Sequence, residues 1–364
     1  MSPTLSGSDL LALAIFLAYF TTIIILIGII LYSLPLHTNT GAFDFRPYVF
    51  GSLAFASFTH TWFYMFRFLS WSFHDFESHS RSVEASATMR LIAWLKNTEL
   101  FEQAWAAVCS RPLNWWWSEQ LCLFTVGAWT IFLVLRGRLH SIKHVWAYML
   151  VGQLVAISVA TNLFFLAVSL SGKGHAVSES RSALTRAPFI LTFCVVVSMT
   201  TVALSPFTSE RTFLPNLLTM HTLIFLPLFP WFLRSKSSKT LMSSRVLYSV
   251  ITAVSFMLRL KTTAVAFRSL PAEMQSFTGF LTAIGATLYS HPAQSSIGWD
   301  VVWTSISFLT WIALDHTVTP PPSPHLKPFL LPLFTSLTVA LSAGVSAPFV
   351  LLASTPREAP QKKE

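Results

Sequence analysis

Along the chain, long apolar runs alternate with short polar connectors. The runs lie at about 10–34, 48–71, 119–136, 145–170, 187–207, 213–233, 246–267, 296–315 and 328–354. At about 1.5 Å per residue, each is close to the length that crosses ~30 Å of hydrocarbon as a helix. Lipid offers no partner to a bare backbone, so helices that bond within themselves are the element such runs can form. The pattern predicts an all-α, polytopic transmembrane helix bundle of about nine spans, eight to ten, as a single integral membrane domain over 1–354. The range reflects two places: Arg259 and Lys261 fall inside one run, and Ser276–Ser290 is apolar but short enough to be re-entrant or interfacial.

Between the second and third runs, 72–118 holds most of the carboxylates, among them Asp75, Glu77, Glu84, Glu99 and Glu102. Leu91, Trp94, Leu95, Phe101 and Trp105 recur there at helical spacing. An extramembrane loop is expected, with an amphipathic helix over about 83–108 whose apolar face lies toward the membrane. The proline-rich TVTPPPSPHLK before the last run is incompatible with helix, and 355–364 reads as a disordered polar tail. The first apolar run is longer than the core of a cleaved signal and is expected to be a retained span.

Composition sharpens this picture. With 53% hydrophobic and 11% charged residues, the chain has less than half the charge of an ordinary soluble domain, which excludes a soluble Rossmann or barrel enzyme. The net charge of +9 comes from bases in connectors beside apolar runs, where lipid headgroups meet them, so nucleic acid is not an expected partner. Lys and Arg divide almost evenly between the two sides of a nine-span layout, too evenly to set an orientation. The three cysteines, Cys109, Cys122 and Cys194, form no C-x-x-C pair and are expected to pack as small apolar residues. HDFESH at 74–79 and the His140/His144 pair on one helix face lack further ligands, so no metal is expected. No nucleotide, dinucleotide or serine-hydrolase motif is present, and no cofactor is expected.

Candidate chemistry concentrates in two Trp-acid clusters. Asn114-Trp115-Trp116-Trp117-Ser118-Glu119 stands at the entrance of one run, and Trp299-Asp300-Val301-Val302-Trp303 at the entrance of another. Indole faces stabilise cations, and a carboxyl group among aromatic walls can act as a general acid, the two requirements of a carbocation reaction. Asp300 and Glu119 are the candidate acids, with Trp115, Trp117, Trp299 and Trp303 as candidate pocket walls. The plainer alternative is an interfacial aromatic belt with structural carboxylates. His221 sits in a run interrupted by Pro215, Pro227 and Pro230, a break of the kind tolerated where helices pack or a cavity opens, and is a further candidate binding residue. Asp315, His316 and the pair His60/Arg67 are weaker candidates.

The stretches NWWWSEQL, FLPNLLTMHTLIFLPLFP and HPAQSSIGWDVVW, in span order, resemble a family of multi-pass membrane proteins of filamentous fungi encoded with paxilline-type and aflatrem-type indole-diterpene biosynthesis. The resemblance implies a membrane protein of secondary metabolism, working beside other membrane pathway enzymes on a lipophilic prenylated small molecule. It supplies no catalytic residue. Two readings follow. In one, the chain carries out or assists biosynthesis, including cyclisation, with Asp300 or Glu119 protonating an alkene or epoxide. In the other it is a non-catalytic scaffold or carrier, and Asp300 pairs with a neighbour such as His221 or Arg259. Pathway logic points to the endoplasmic reticulum membrane. The first reading expects the two clusters to meet at one end of the bundle, and Asp300→Asn to lose product at normal protein level.

Overall fold

A computed structural model describes residues 5–35, 44–79, 86–171, 186–229, 240–314 and 327–355. Among the described residues the chain is all-α apart from one short antiparallel pair, β1 (Arg186–Pro188) with β2 (Thr240–Ser243). Among the described residues five helical stretches are long and apolar enough to cross a membrane. They are α1 (Gly7–Tyr32); α5 (Pro112–Leu123), which runs through a π-helical turn at Phe124–Trp129 into α6 (Thr130–Leu139); α9 (Phe189–Leu204) with its terminal 3-10 turn; α11 (Ser244–Arg268); and α13 (Pro292–Leu314). Their starts follow from local chemistry: Ser6 and Ser243 accept N–H bonds from Asp9 and Val246, and Pro112 opens α5 where a missing N–H costs nothing.

The remaining expected spans take other forms. The run at 48–71 lies within α2 (Arg46–His79), 34 residues long, whose serines, threonines and histidines hold its apolarity below that of the five. The run at 145–170 divides into α7 (Val145–Leu154) and α8 (Ile157–Leu170), and 328–354 into α14 (Lys327–Ala340) and α15 (Ala343–Ser354). Each half has 10 to 14 residues, short of the ~20 that cross a bilayer. At 213–233, α10 (Glu210–Leu223) ends before Pro227, which sits in a 3-10 turn, and Pro230 lies outside the described residues. The expected helix at 83–108 is two, α3 (Ala87–Asn97) and α4 (Leu100–Cys109), broken at Thr98, whose backbone is extended. Their apolar positions meet helices of the bundle: Trp94 is buried, its indole N–H donating to Ser72 Oγ of α2 at 3.1 Å. The short apolar helix α12 (Phe277–Leu288) takes up 276–290, while the proline-rich connector, Asp315, His316 and the 356–364 tail lie outside the described residues.

The core is a knot of aromatic rings where α2, α6, α8 and α13 pack together. Trp311 stacks on Phe165 at 5.1 Å and meets Phe132 edge-on at 4.9 Å, and Trp129 meets Phe164 edge-on at 5.6 Å. Beside it α15 approaches α5 closely at Gly344, where a Cβ would stand 2.7 Å from Leu123 Cβ and 2.9 Å from the Gln120 carbonyl oxygen. Backbone cannot give way there as a flexible side chain could. Gly344→Val is expected to force the two helices apart at about 1–3 kcal/mol, read as a lower thermal unfolding midpoint in detergent.

Candidate functional site

Three consecutive tryptophans on α5 point three ways, because successive side chains on a helix are about 100° apart. Trp115 faces a central cavity, Trp116 faces α11, and Trp117 donates its indole N–H to the Ile284 carbonyl of α12 at 3.0 Å. Ser118, Cys122 and Thr125 follow Trp115 on the cavity side, three or four residues apart. Glu119, one step on from Ser118, turns with Trp116 toward α11.

There Glu119 meets Arg259. The guanidinium lies 3.5 Å from Glu119 Oε2 and 4.0 Å above the Trp116 ring, and both charged residues are only 2% exposed. Thr262 donates its hydroxyl to Glu119 Oε1 at 2.6 Å. Arg259 also donates to the Trp116 carbonyl at 2.7 Å and, through Nε, to the Leu341 carbonyl at 2.8 Å. Leu341 is the residue at which α14 stops, so a buried cation caps a helix C-terminus whose carbonyls lack partners of their own.

Asp300 does the converse at the other broken run. Its Oδ2 accepts the N–H of Ile157 and its Oδ1 that of Ser158, both at 2.8 Å, at the first turn of α8. Ala156, the residue before α8, has no capping side chain, and Asp300 supplies the cap from a distant helix. On the opposite lip of the break, Tyr19 of α1 donates its hydroxyl to the Leu154 carbonyl at 2.6 Å. Asp300 therefore pairs with neither His221 nor Arg259, the partners expected from sequence. N–H groups at a helix N-terminus match a carboxylate anion, just as the carbonyls at Leu341 match a cation.

The cavity itself, about 230 Å³, lies among α2, α4, α5, α10, α13 and the break between α7 and α8. Its walls are mostly apolar, and the π-helical turn, a distortion often found at functional sites, contributes Thr125 and Val126. Asp300, Trp115 and His221 all line it. Trp115 Nε1 and His221 Nδ1 are both buried and have no hydrogen-bond partner among the described residues. Both residues stand on the wall of this cavity, and each unpaired group is a candidate partner for a polar group bound there.

The other expected residues lie elsewhere. Glu119 lines a second cavity of about 320 Å³, with Trp115 as a wall common to both. Trp299 packs on His60 of α2 at 4.4 Å between ring centres, and Trp303 donates its indole N–H to His60 Nδ1 at 3.1 Å. The two tryptophans do share one helix face, but that face turns to α2, whereas Ala293, Ser296, Ile297 and Asp300 form the cavity face of α13. The clusters are nonetheless on packed neighbours, joined by Asn114 Nδ2 donating to Gln294 Oε1 at 2.9 Å. His140 and His144 do not share a helix face: His140 ends α6 and bonds Ser171 Oγ at 2.9 Å, and His144 precedes α7 at φ 53°.

Sequence reasoning missed two contributors. Trp105 was legible only as an apolar position, yet its ring stacks nearly parallel to His221, with centres 6.4 Å apart, on the cavity wall. Gln153 borders the same space, a polar residue in an apolar run. Compared with protein-family models, with curated proteins and with solved structures, the chain matches none.

Proposed function

We propose that this chain is a multi-pass integral membrane protein that holds a lipophilic small molecule with one polar end in the cavity beside Asp300, as a carrier or scaffold. The observation that carries this reading is the pair of buried, unpartnered polar atoms, Trp115 Nε1 and His221 Nδ1, on residues that line a mostly apolar cavity. A hydroxyl or carbonyl at the end of a hydrocarbon skeleton would accept from the indole and engage the imidazole, while the apolar walls receive the rest. The molecule's class comes from the resemblance: a prenylated terpenoid such as an indole diterpene, handled beside other membrane pathway enzymes in the endoplasmic reticulum membrane.

The non-catalytic form is preferred because both candidate acids already have structural work. Glu119 balances Arg259, and the oxygens of Asp300 accept two backbone N–H bonds. One observation keeps acid-initiated cyclisation as the second reading: Asp300 borders the cavity, so its carboxyl group could reach a bound alkene or epoxide.

A photoreactive farnesol carrying its diazirine near the hydroxyl tests the site in purified protein. Labelling should fall on peptides containing Trp115, Leu217 and His221, and Leu217→Trp, which fills the cavity from α10, should reduce it about tenfold, as a loss of ~1.4 kcal/mol would. Labelling elsewhere, or unaffected by the added indole, overturns the reading. Turnover of an epoxidised prenyl substrate by the purified protein alone would replace the carrier with the cyclase.

A further inference from the structure

A second apolar space, about 730 Å³, lies between α1, α2, α3 and α4. Leu11, Ile15, Phe20, Leu69, Leu95 and Phe101 are among its walls. Met65, Phe68, Ala104 and Trp105 line both this groove and the cavity beside Asp300, so one thin partition separates them. At its mouth stand Ser8, Glu99 and Glu102; Glu99, by hydrogen bond and charge, raises the Glu102 carboxyl above the ordinary carboxylate range.

The groove is a held space. Helix α1 buries few of its side chains and is tied to the bundle at two separated points: Lys96 Nζ reaches Asp9 Oδ1 at 2.8 Å, and the Tyr19 hydroxyl reaches the Leu154 carbonyl at 2.6 Å. Leu11 and Ile15 on its α1 wall are 61% and 60% exposed, so the groove opens at the side of the bundle, and the two polar struts hold α1 in place with an apolar space between it and its neighbours. The cavity, at about 230 Å³, falls below the ~300–1,000 Å³ of an ordinary small-molecule site, and the groove supplies what is lacking.

We propose that the groove between α1, α2 and α4 receives the hydrocarbon tail of the molecule whose polar end lies in the cavity, with Trp105 as the divider that the chain passes. The inference rests on the cavity reading above and adds what that reading leaves open: the ligand is long, and tail length sets its affinity. Trp105 stacks on His221, so a tail that displaces its ring also disturbs the ring at the polar end, and the two halves of the ligand are felt together.

Geraniol, farnesol and geranylgeraniol, each with a diazirine on its terminal isoprene unit, test this with the protein in phosphatidylcholine nanodiscs. The geranylgeraniol tail should label peptides of α1 and α4, and geraniol should label the cavity residues of α5 and α10. Ala12→Trp fills the groove from the sparsely packed α1, where an added ring leaves the core untouched. It should abolish groove labelling by geranylgeraniol and leave geraniol labelling of the cavity intact. The inference is overturned if the geranylgeraniol tail lands away from α1 and α4, if Ala12→Trp leaves its labelling unchanged, or if a diazirine alkane without a hydroxyl labels the groove as strongly. In those cases cavity labelling by geraniol preserves the carrier reading, whereas no labelling by any of the three alcohols removes both.

Discussion

Glu119→Ala is expected to destabilise the protein by about 3–5 kcal/mol, enough to lower its steady-state level and its unfolding midpoint in detergent. The size follows from what stays behind. Arg259, 2% exposed, would remain between Trp116 and Leu341 with two carbonyls to donate to and no countercharge. Carbonyl dipoles solvate a cation only in part, and its full desolvation is then uncompensated. Glu119→Gln should be milder, since Oε1 of the amide still accepts from Thr262, but the net charge of the site rises in the same way. The pair is better judged by removing both members. Glu119→Leu with Arg259→Met should recover much of the single-variant loss, because buried ion pairs often contribute little over apolar residues of similar shape. Full recovery is not expected, since Arg259 also closes the C-terminus of α14 through Leu341. A thermal shift series on the single and double variants measures this. An unchanged midpoint in Glu119→Ala would mean that Glu119 serves the second cavity instead of the fold.

How much of this could be read along the chain depends on where each structural cause lies. Causes within a few residues were legible: the apolar runs of α1, α11 and α13, and the prolines that interrupt the run holding α10. The breaks at Val155–Ala156 and Leu341–Ser342 were not, because neither stretch holds a glycine or proline at the break. VGQLVAISVA reads as continuous helix, and its interruption is stabilised by Tyr19 and Asp300, both more than a hundred residues away. The same limit governed the candidate site. Spacing correctly put Trp299 and Trp303 on one face, but spacing carries no information about which neighbour that face meets, and it meets His60. A single helical step separates Trp299 from Asp300, and that step divides ring packing against α2 from the cavity. The buried charges were legible as features needing an explanation, which is what an acid in an apolar run should signal. Their partners were not, and the partners change the meaning: Asp300 and Arg259 each close the end of a helix, with the sign of charge that its dipole requires.

That assignment alters what Asp300→Asn should do. Read as a proton donor alone, the residue would lose function with the amide while the fold stayed intact. As the cap of α8 it accepts from Ile157 and Ser158, one bond to each oxygen, and an amide has only one oxygen to offer. The side-chain NH2 would face a backbone N–H, donor against donor, and the anion that suits the helix N-terminus would be gone. Hydrogen bonds to a charged group contribute about 1.5–3 kcal/mol each, so losing one and weakening the other should cost about 2–4 kcal/mol. The expected result is a fall in protein level and a lower unfolding midpoint, with ligand labelling reduced in proportion to folded protein. Asp300→Glu should not rescue it, because a side chain longer by one methylene overreaches the two N–H groups that the shorter carboxylate meets at 2.8 Å. Immunoblotting, thermal unfolding and farnesol labelling of the same preparation separate the cases. Normal level and midpoint with lost turnover of an epoxidised prenyl substrate would restore Asp300 as the acid of a cyclase. Normal level, midpoint and labelling together would mean that α8 holds its first turn without the carboxylate.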